Sequence, residues 1–152
     1  MNNTAELDYE DEEEIQVVAF QLGKEEYAVD ILNVQEINRL LNITRIPRAD
    51  KNIEGVVNLR GNIIPVINLH SKFNLESAGE EDDKRIIVFQ FDDVRAGIIV
   101  DEVSEVLRIS SKDIEAATYQ SMDATLLKGI AKVGERLLIL LDLQKILGLE
   151  AV

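Results

Sequence analysis

Short apolar runs rich in β-branched residues, each closed by a turn signal, recur along this chain and constrain it to a mainly β fold. Ile15–Leu22 is closed by Gly23-Lys24-Glu25-Glu26, and the pattern resumes at Tyr27–Ile31. Arg85–Phe91 passes through Asp92-Asp93 into Val94–Val100. Both stretches read as β-hairpins. Further strands are expected at Ile53–Arg60, Ile63–Leu69, Leu127–Val133 and Leu137–Asp142. Ile31–Leu41 and Val100–Ile109 fit more than one period, and their position directly after a hairpin favours strand. Pro65 lacks a backbone donor, which predicts an edge position or a bulge.

The pattern repeats. A shift of 69 residues lays Ala19-Phe20-Gln21-Leu22 on Val88-Phe89-Gln90-Phe91, and Val34–Arg39 on Val103–Arg108. A shift of 74 lays Gly55–Leu75 on Gly129–Leu149. Identities are few, but both shifts respect chain order. They divide the chain into an acidic tail over 1–14, repeats over about 15–75 and 85–149, and a linker over 76–84. Whether the repeats fold one after the other or interleave is left open. Each repeat reads as strands followed by a short helix, with Asn68 and Asp142 as equivalent N-caps. Copies this small are expected to pack together within a single domain over 15–152.

Composition excludes several classes. The formal charge is −13, with 16 Lys and Arg against 29 Asp and Glu, so a basic face for nucleic acid or anionic lipid is not expected. Seven of those acids lie in the first fourteen residues. Without them the balance is −6, and without Glu80-Glu81-Asp82-Asp83 as well it is −2. The charge thus belongs to two appendages read as solvated, and the body between them is nearly neutral. There is no cysteine for a disulfide or thiolate. No signal-peptide pattern and no apolar run of about 20 residues is visible, so a soluble cytoplasmic protein without membrane insertion is expected.

Catalytic inventory is thin. His70 is the only histidine and reads as a surface or capping residue. Gly55 and Gly61 stand six apart, but Asn62 follows where a phosphate-binding loop needs Lys. Glu80–Asp83 lacks the alternating ligands of a calcium loop. Asp101-Glu102 are sequence neighbours, which a strand points to opposite faces. The expectation is no enzyme, no cofactor and no metal.

The densest signal is Ile53–Leu69, IEGVVNLRGNIIPVINL, with a tight turn at Asn58, Arg60, Gly61 and Asn62. Arg60 there offers a planar fork for a carboxylate or for carbonyls, although the turn by itself favours a plain surface arginine. This run follows Ala28–Ile37 and Thr44-Arg45-Ile46-Pro47, and precedes Ala96–Leu107 and Gly129–Gly148. In that order the motifs resemble the CheW family of bacterial chemotaxis coupling proteins, over about residues 15–149.

The resemblance implies two small SH3-like five-stranded β-barrel subdomains packed around a shared core, with short helices. It implies a non-catalytic adaptor joining the cytoplasmic tips of methyl-accepting chemoreceptors to the regulatory domain of the CheA histidine kinase. The chain would be a monomer in isolation and part of a receptor array with its partners. At 152 residues it has no room for a kinase or receiver domain, which points to a free-standing member. Carried over, Val34, Glu36, Arg60 and Gly61 would lie at the receptor-binding surface, with Gly55, Val103 and Val106 as further partner contacts. An apolar cleft between the barrels would take a receptor helical hairpin. A small-molecule-binding or regulatory double barrel is the alternative.

Overall fold

A computed structural model describes residues 13–47, 53–116 and 126–148. Residues 1–12, most of the stretch read as a disordered acidic tail, lie outside the described residues. Glu13 and Glu14, counted with that tail, lie inside: Glu14 opens the first strand, and the Glu13 carbonyl accepts the Ser111 N–H at 2.8 Å.

Among the described residues eleven strands follow in chain order: β1 (Glu14–Leu22), β2 (Glu25–Asp30), β3 (Val34–Arg39), β4 (Ile53–Leu59), β5 (Asn62–Ile67), β6 (Arg85–Phe91), β7 (Val94–Val100), β8 (Glu102–Ser110), β9 (Ile114–Glu115), β10 (Leu127–Val133) and β11 (Arg136–Leu141). Two short helices, α1 (Leu69–Phe73) and α2 (Leu143–Ile146), follow β5 and β11. Asn68 and Asp142 cap them, each side chain accepting a first-turn N–H, from Ser71 and Lys145 respectively. The expected mainly β class, with strands at both ambiguous segments, is what the chain adopts.

The strands form two sheets, ordered β8-β1-β2-β11-β10-β9 and β3-β6-β7-β5-β4. Each mixes strands from the two halves of the sequence, because the hairpin β1–β2 sits among strands of the second half and β6–β7 among strands of the first. The seams are parallel: Ala28 faces Leu140 where β2 meets β11, and Gly97 faces Val66 where β7 meets β5. The two sequence shifts carry one seam onto the other, since Ala28 moves by 69 to Gly97 and Val66 by 74 to Leu140. The sixth strand of the larger sheet, β9, is two residues long, and its counterpart in the smaller sheet is the single bridge between Thr44 and Val56.

The chain divides into two compact units, one of Phe20–Glu25 with Leu32–Ser104, the other drawn from Met1–Ala19, Glu26–Ile31 and Glu105–Val152. The first has a core of Val57, Leu59, Ile64, Val66, Ile86 and Val88. The second has a core of Val17, Ala19, Ala28, Ile109, Ala131, Leu138 and Leu140. Such inward residues carry the hydrophobic stabilisation, about 1.5–3 kcal/mol for each large aliphatic side chain.

Pro65 meets one of its two expected settings, since the register of β4 and β5 shifts beside it, between Ile53 and Gly55. It lies on β5, between β4 and β7, not at an edge. Its antiparallel partner is Val56, whose N–H and C=O both bond Thr44 at 2.8 Å and so face away from β5. Pairing with β7 begins only at Val66. The missing proline N–H therefore costs neither neighbour a ladder bond.

Candidate interaction site

The turn between β4 and β5 consists of Arg60 and Gly61, with φ of 53° and 87°. Both lie in the left-handed region that a type I′ hairpin needs. The Gly61 N–H donates to the Asn58 side chain at 2.9 Å, and open space surrounds the position a Cβ would take. Gly61 is thus required by backbone conformation, not by crowding. The turn lifts Arg60 into solvent, its side chain 70% exposed.

Arg60 and Glu36, expected at one surface, meet there directly. Nη1 and Nη2 of Arg60 donate to Oε2 and Oε1 of Glu36, each at 2.7 Å. This is a bidentate pair. Asn38 donates to the same carboxylate at 3.0 Å. The bond from Arg60, then that from Asn38, holds the Glu36 carboxyl down at about 2, and the carboxylate in turn raises Arg60. The pair joins β3 and the β4–β5 turn, and β3 and β4 are the two outer strands of their sheet. Arg60 therefore spends part of its fork within the chain and presents the remainder outward.

Val34 opens β3 opposite Phe89, and a bulge between Val34 and Glu36 leaves both half-buried while Gln35 turns out. Beside Val34 a groove of about 360 Å³ is lined by Leu32, Asn33, Gln35, Gln90 and Asp92. Leu32 at its rim is 85% exposed.

The remaining predicted residues stand apart from this cluster. Gly55 is buried at a bulge in β4, where an added Cβ would lie 2.3 Å from the Thr44 carbonyl oxygen and 2.8 Å from an Ile43 methyl. Gly129 has the same setting, with 2.6 Å to the Glu115 carbonyl oxygen. These glycines admit the neighbouring backbone. Val103 and Val106 both lie on β8, the former half-buried and the latter 48% exposed.

The second unit carries a related network. Arg136, at the start of β11, donates to Glu105 and Glu26 at 2.7 Å each. Glu105 is the residue on which the shift of 69 lays Glu36. Around the two networks the exposed apolar residues also correspond: Ile37 with Val106, and Ile63 with Leu137.

Two sequence readings are revised. His70 is not a surface histidine: its side chain is only 13% exposed, and Nε2 lies 3.0 Å from Asp101 Oδ1. Asp101, read as an unremarkable strand acid, is 2% exposed and gathers donors from several segments. Burial acts to raise its pKa, but bonds from Gly23, His70, Lys84 and Ser77 outweigh that and hold the carboxyl below the usual range. Among the described residues no cluster of three His, Cys, Asp or Glu side chains could hold a metal ion, and no helix is long and apolar enough to cross a membrane.

A family model described as CheW-like domain matches residues 16–151. The chain is 41% identical over 133 residues to the chemotaxis protein CheW of Klebsiella aerogenes, covering 86% of this chain and 80% of that one. It is 36% identical over 141 residues to the chemotaxis protein CheW of Treponema pallidum, covering 89% and 83%. A solved structure, the scaffolding protein TtCheW from Thermoanaerobacter tengcongensis, superposes with a TM-score of 0.80 at 38% identity, over 86% of each chain. With two interleaved sheets, the Arg60–Gly61 turn and a match along nearly its whole length, this chain belongs to the CheW-like domain family.

Proposed function

We propose that this chain is a non-catalytic chemotaxis adaptor that couples chemoreceptor cytoplasmic tips to the regulatory domain of the CheA histidine kinase. It would work in the cytoplasm, recruited to membrane-associated receptor arrays by its partners. The observation that carries the reading is the Glu36–Arg60 pair, a fixed charge couple raised on a hairpin tip beside half-buried Val34. The likeness to TtCheW, a scaffolding protein, supports it. So does the setting of the only histidine, which is committed to Asp101.

The chemistry follows from the surface. Val34 and Leu32 offer apolar contact to a receptor helix at a groove otherwise lined by Asn33, Gln35, Gln90 and Asp92, in the manner of helix-in-groove recognition. Arg60 supplies charge at the rim, where it sets register and partner choice more than affinity. Gly61 allows a partner backbone to come close to the turn. Ile63 and Leu137, 64% and 53% exposed on corresponding strands, are the apolar anchors assigned to the kinase side. Each interface is modest, and an array multiplies them. In this proposal the domain spans 15–152 as two repeats, 15–75 and 85–149, joined by 76–84.

Arg60→Ala and Glu36→Lys are each expected to weaken receptor-tip binding by about tenfold or more while leaving the melting temperature nearly unchanged. Isothermal titration with a receptor-tip fragment measures this, and full-strength binding by both variants would remove the assigned face. A micromolar ligand emerging from a thermal-shift screen of nucleotides and metabolites would favour a small-molecule-binding double barrel.

A further inference from the structure

Residues 74–84, between α1 and β6, run outside both sheets. Most are exposed, and five of them are acids. The Leu75 N–H donates to the His70 carbonyl and Arg85 Nη1 to the Asp82 carbonyl, each at 2.7 Å, and between those points one carboxylate holds the segment. Asp101 Oδ1 accepts from Ser77 Oγ at 2.8 Å and Lys84 Nζ at 2.9 Å. Oδ2 accepts from the Ala78 N–H at 3.1 Å and, on the β1–β2 turn, from the Gly23 N–H at 2.8 Å. His70 of α1 lies 3.0 and 3.1 Å from the two oxygens. Lys84 Nζ also bonds Ser77 Oγ. One buried anion thus ties the β1–β2 turn, α1 and three points of the connecting segment.

The junction has no counterpart at the corresponding positions. The shift of 69 lays Leu32, an exposed residue, on Asp101, and the shift of 74 lays His70 on Gln144. Corresponding strands, caps, bulges and ion pairs recur in both sheets, whereas among the described residues this cluster is found only where the chain crosses from α1 to β6. It therefore serves the crossing segment and not the sheet scaffold.

We propose that Asp101 is the clasp of a strap: residues 74–84 are held on the β1–β2 turn by its charge, and the strap opens with both sheets intact when that charge is removed. The sheets have the means to stay closed. β6 begins at Arg85, one residue past the strap, and pairs with β7 along its whole length. α1 keeps its own cap at Asn68. The charged and titratable groups facing the carboxylate are Lys84 from the strap and His70 from α1, while Glu102 borders the adjoining cavity with Gln21, Gly23, Ala78 and Gly79. Opening releases the acids Glu76, Glu80, Glu81, Asp82 and Asp83 from the turn and uncovers Gly23.

Amide hydrogen exchange on the full chain at neutral pH tests this with Asp101→Asn, which keeps the shape and removes the charge. Exchange at Gly23 and Ala78 is expected to rise about tenfold or more, the loss of a charge-assisted hydrogen bond, while Val88 in β6 and Leu138 in β11 stay within about twofold. Unchanged protection at Gly23 and Ala78 overturns the proposal. So does an equal rise at all four amides, which would make Asp101 a contributor to global stability only. If Asp101→Asn does not fold, Lys84→Gln with the same readout decides: a rise confined to residues 74–84 and Gly23 supports the clasp, and no local rise overturns it.

Discussion

Gly55 shows how a single missing side chain decides what a position is for. The Thr44 carbonyl oxygen stands 2.3 Å from where a Cβ would be, so Gly55→Ala must push the Thr44–Val56 bridge apart. We expect a loss of about 2–4 kcal/mol in urea denaturation, with any loss of partner binding tracking the unfolded fraction. Glu36 and Arg60 behave differently, because exposed Arg60 and half-buried Glu36 pair at the surface and not in the core. With its carboxyl held at about 2, Glu36 stays ionised across the working range, so receptor-tip binding should not change between pH 7 and pH 5 on its account. Asp101 contributes to the closed strap with a definite sign. Its carboxyl is held below the unfolded value of about 4, so the contribution is full above that value and fades as the pH falls below it. Asp101→Asn should abolish the acid-side loss of protection at Gly23 and Ala78 between pH 7 and pH 3, and shift the urea midpoint at pH 7 by no more than about 0.5 kcal/mol. The Arg60–Gly61 turn was legible because turn chemistry is local in sequence. The Asp101 cluster was not, since its donors lie between 17 and 78 residues away and nothing about an acid at a strand end announces burial.

Among the elements, the strands were readable wherever one face is buried and one is not. β10 alternates buried and exposed residues over its first half, and β11 runs buried from Leu138 onward. Leu137 and Leu138 are adjacent, identical in chemistry and opposite in fate, at 53% and 0% exposure. Leu138→Ala should cost about 3 kcal/mol and Leu137→Ala no more than about 0.5 kcal/mol, a contrast that chemical denaturation would resolve. The helix caps at Asn68 and Asp142 follow from side-chain chemistry and were read correctly. Pro65 pointed to the bulge beside it but left its place in the sheet open, because a proline reports only that one N–H is absent. Whether that absence costs anything depends on which way the partner strand faces, and Val56 faces Thr44. Strand partnership was likewise invisible: hairpins pair through their own turns, but no local signal says that β2 will lie beside β11.

For the whole molecule the strand exchange governs behaviour. Neither sheet can be completed by one half of the sequence, since β1–β2 and β6–β7 each stand in the sheet built by the other half's remaining strands. We expect fragments 13–75 and 84–148, each alone, to show no cooperative thermal transition, and an equimolar mixture to recover one by circular dichroism. A folding rate set by such distant pairings should fall in the millisecond-to-second range typical of β topologies.

The exchange also bears on damage. A single cut within 76–84 would sever the chain without releasing either part, because each part is laced into a sheet of the other. Loss of either half of the sequence, by contrast, leaves both sheets short of strands. Such a molecule is present whole or not at all. In the array proposed above, a failing copy would vacate its place instead of occupying it with one working face.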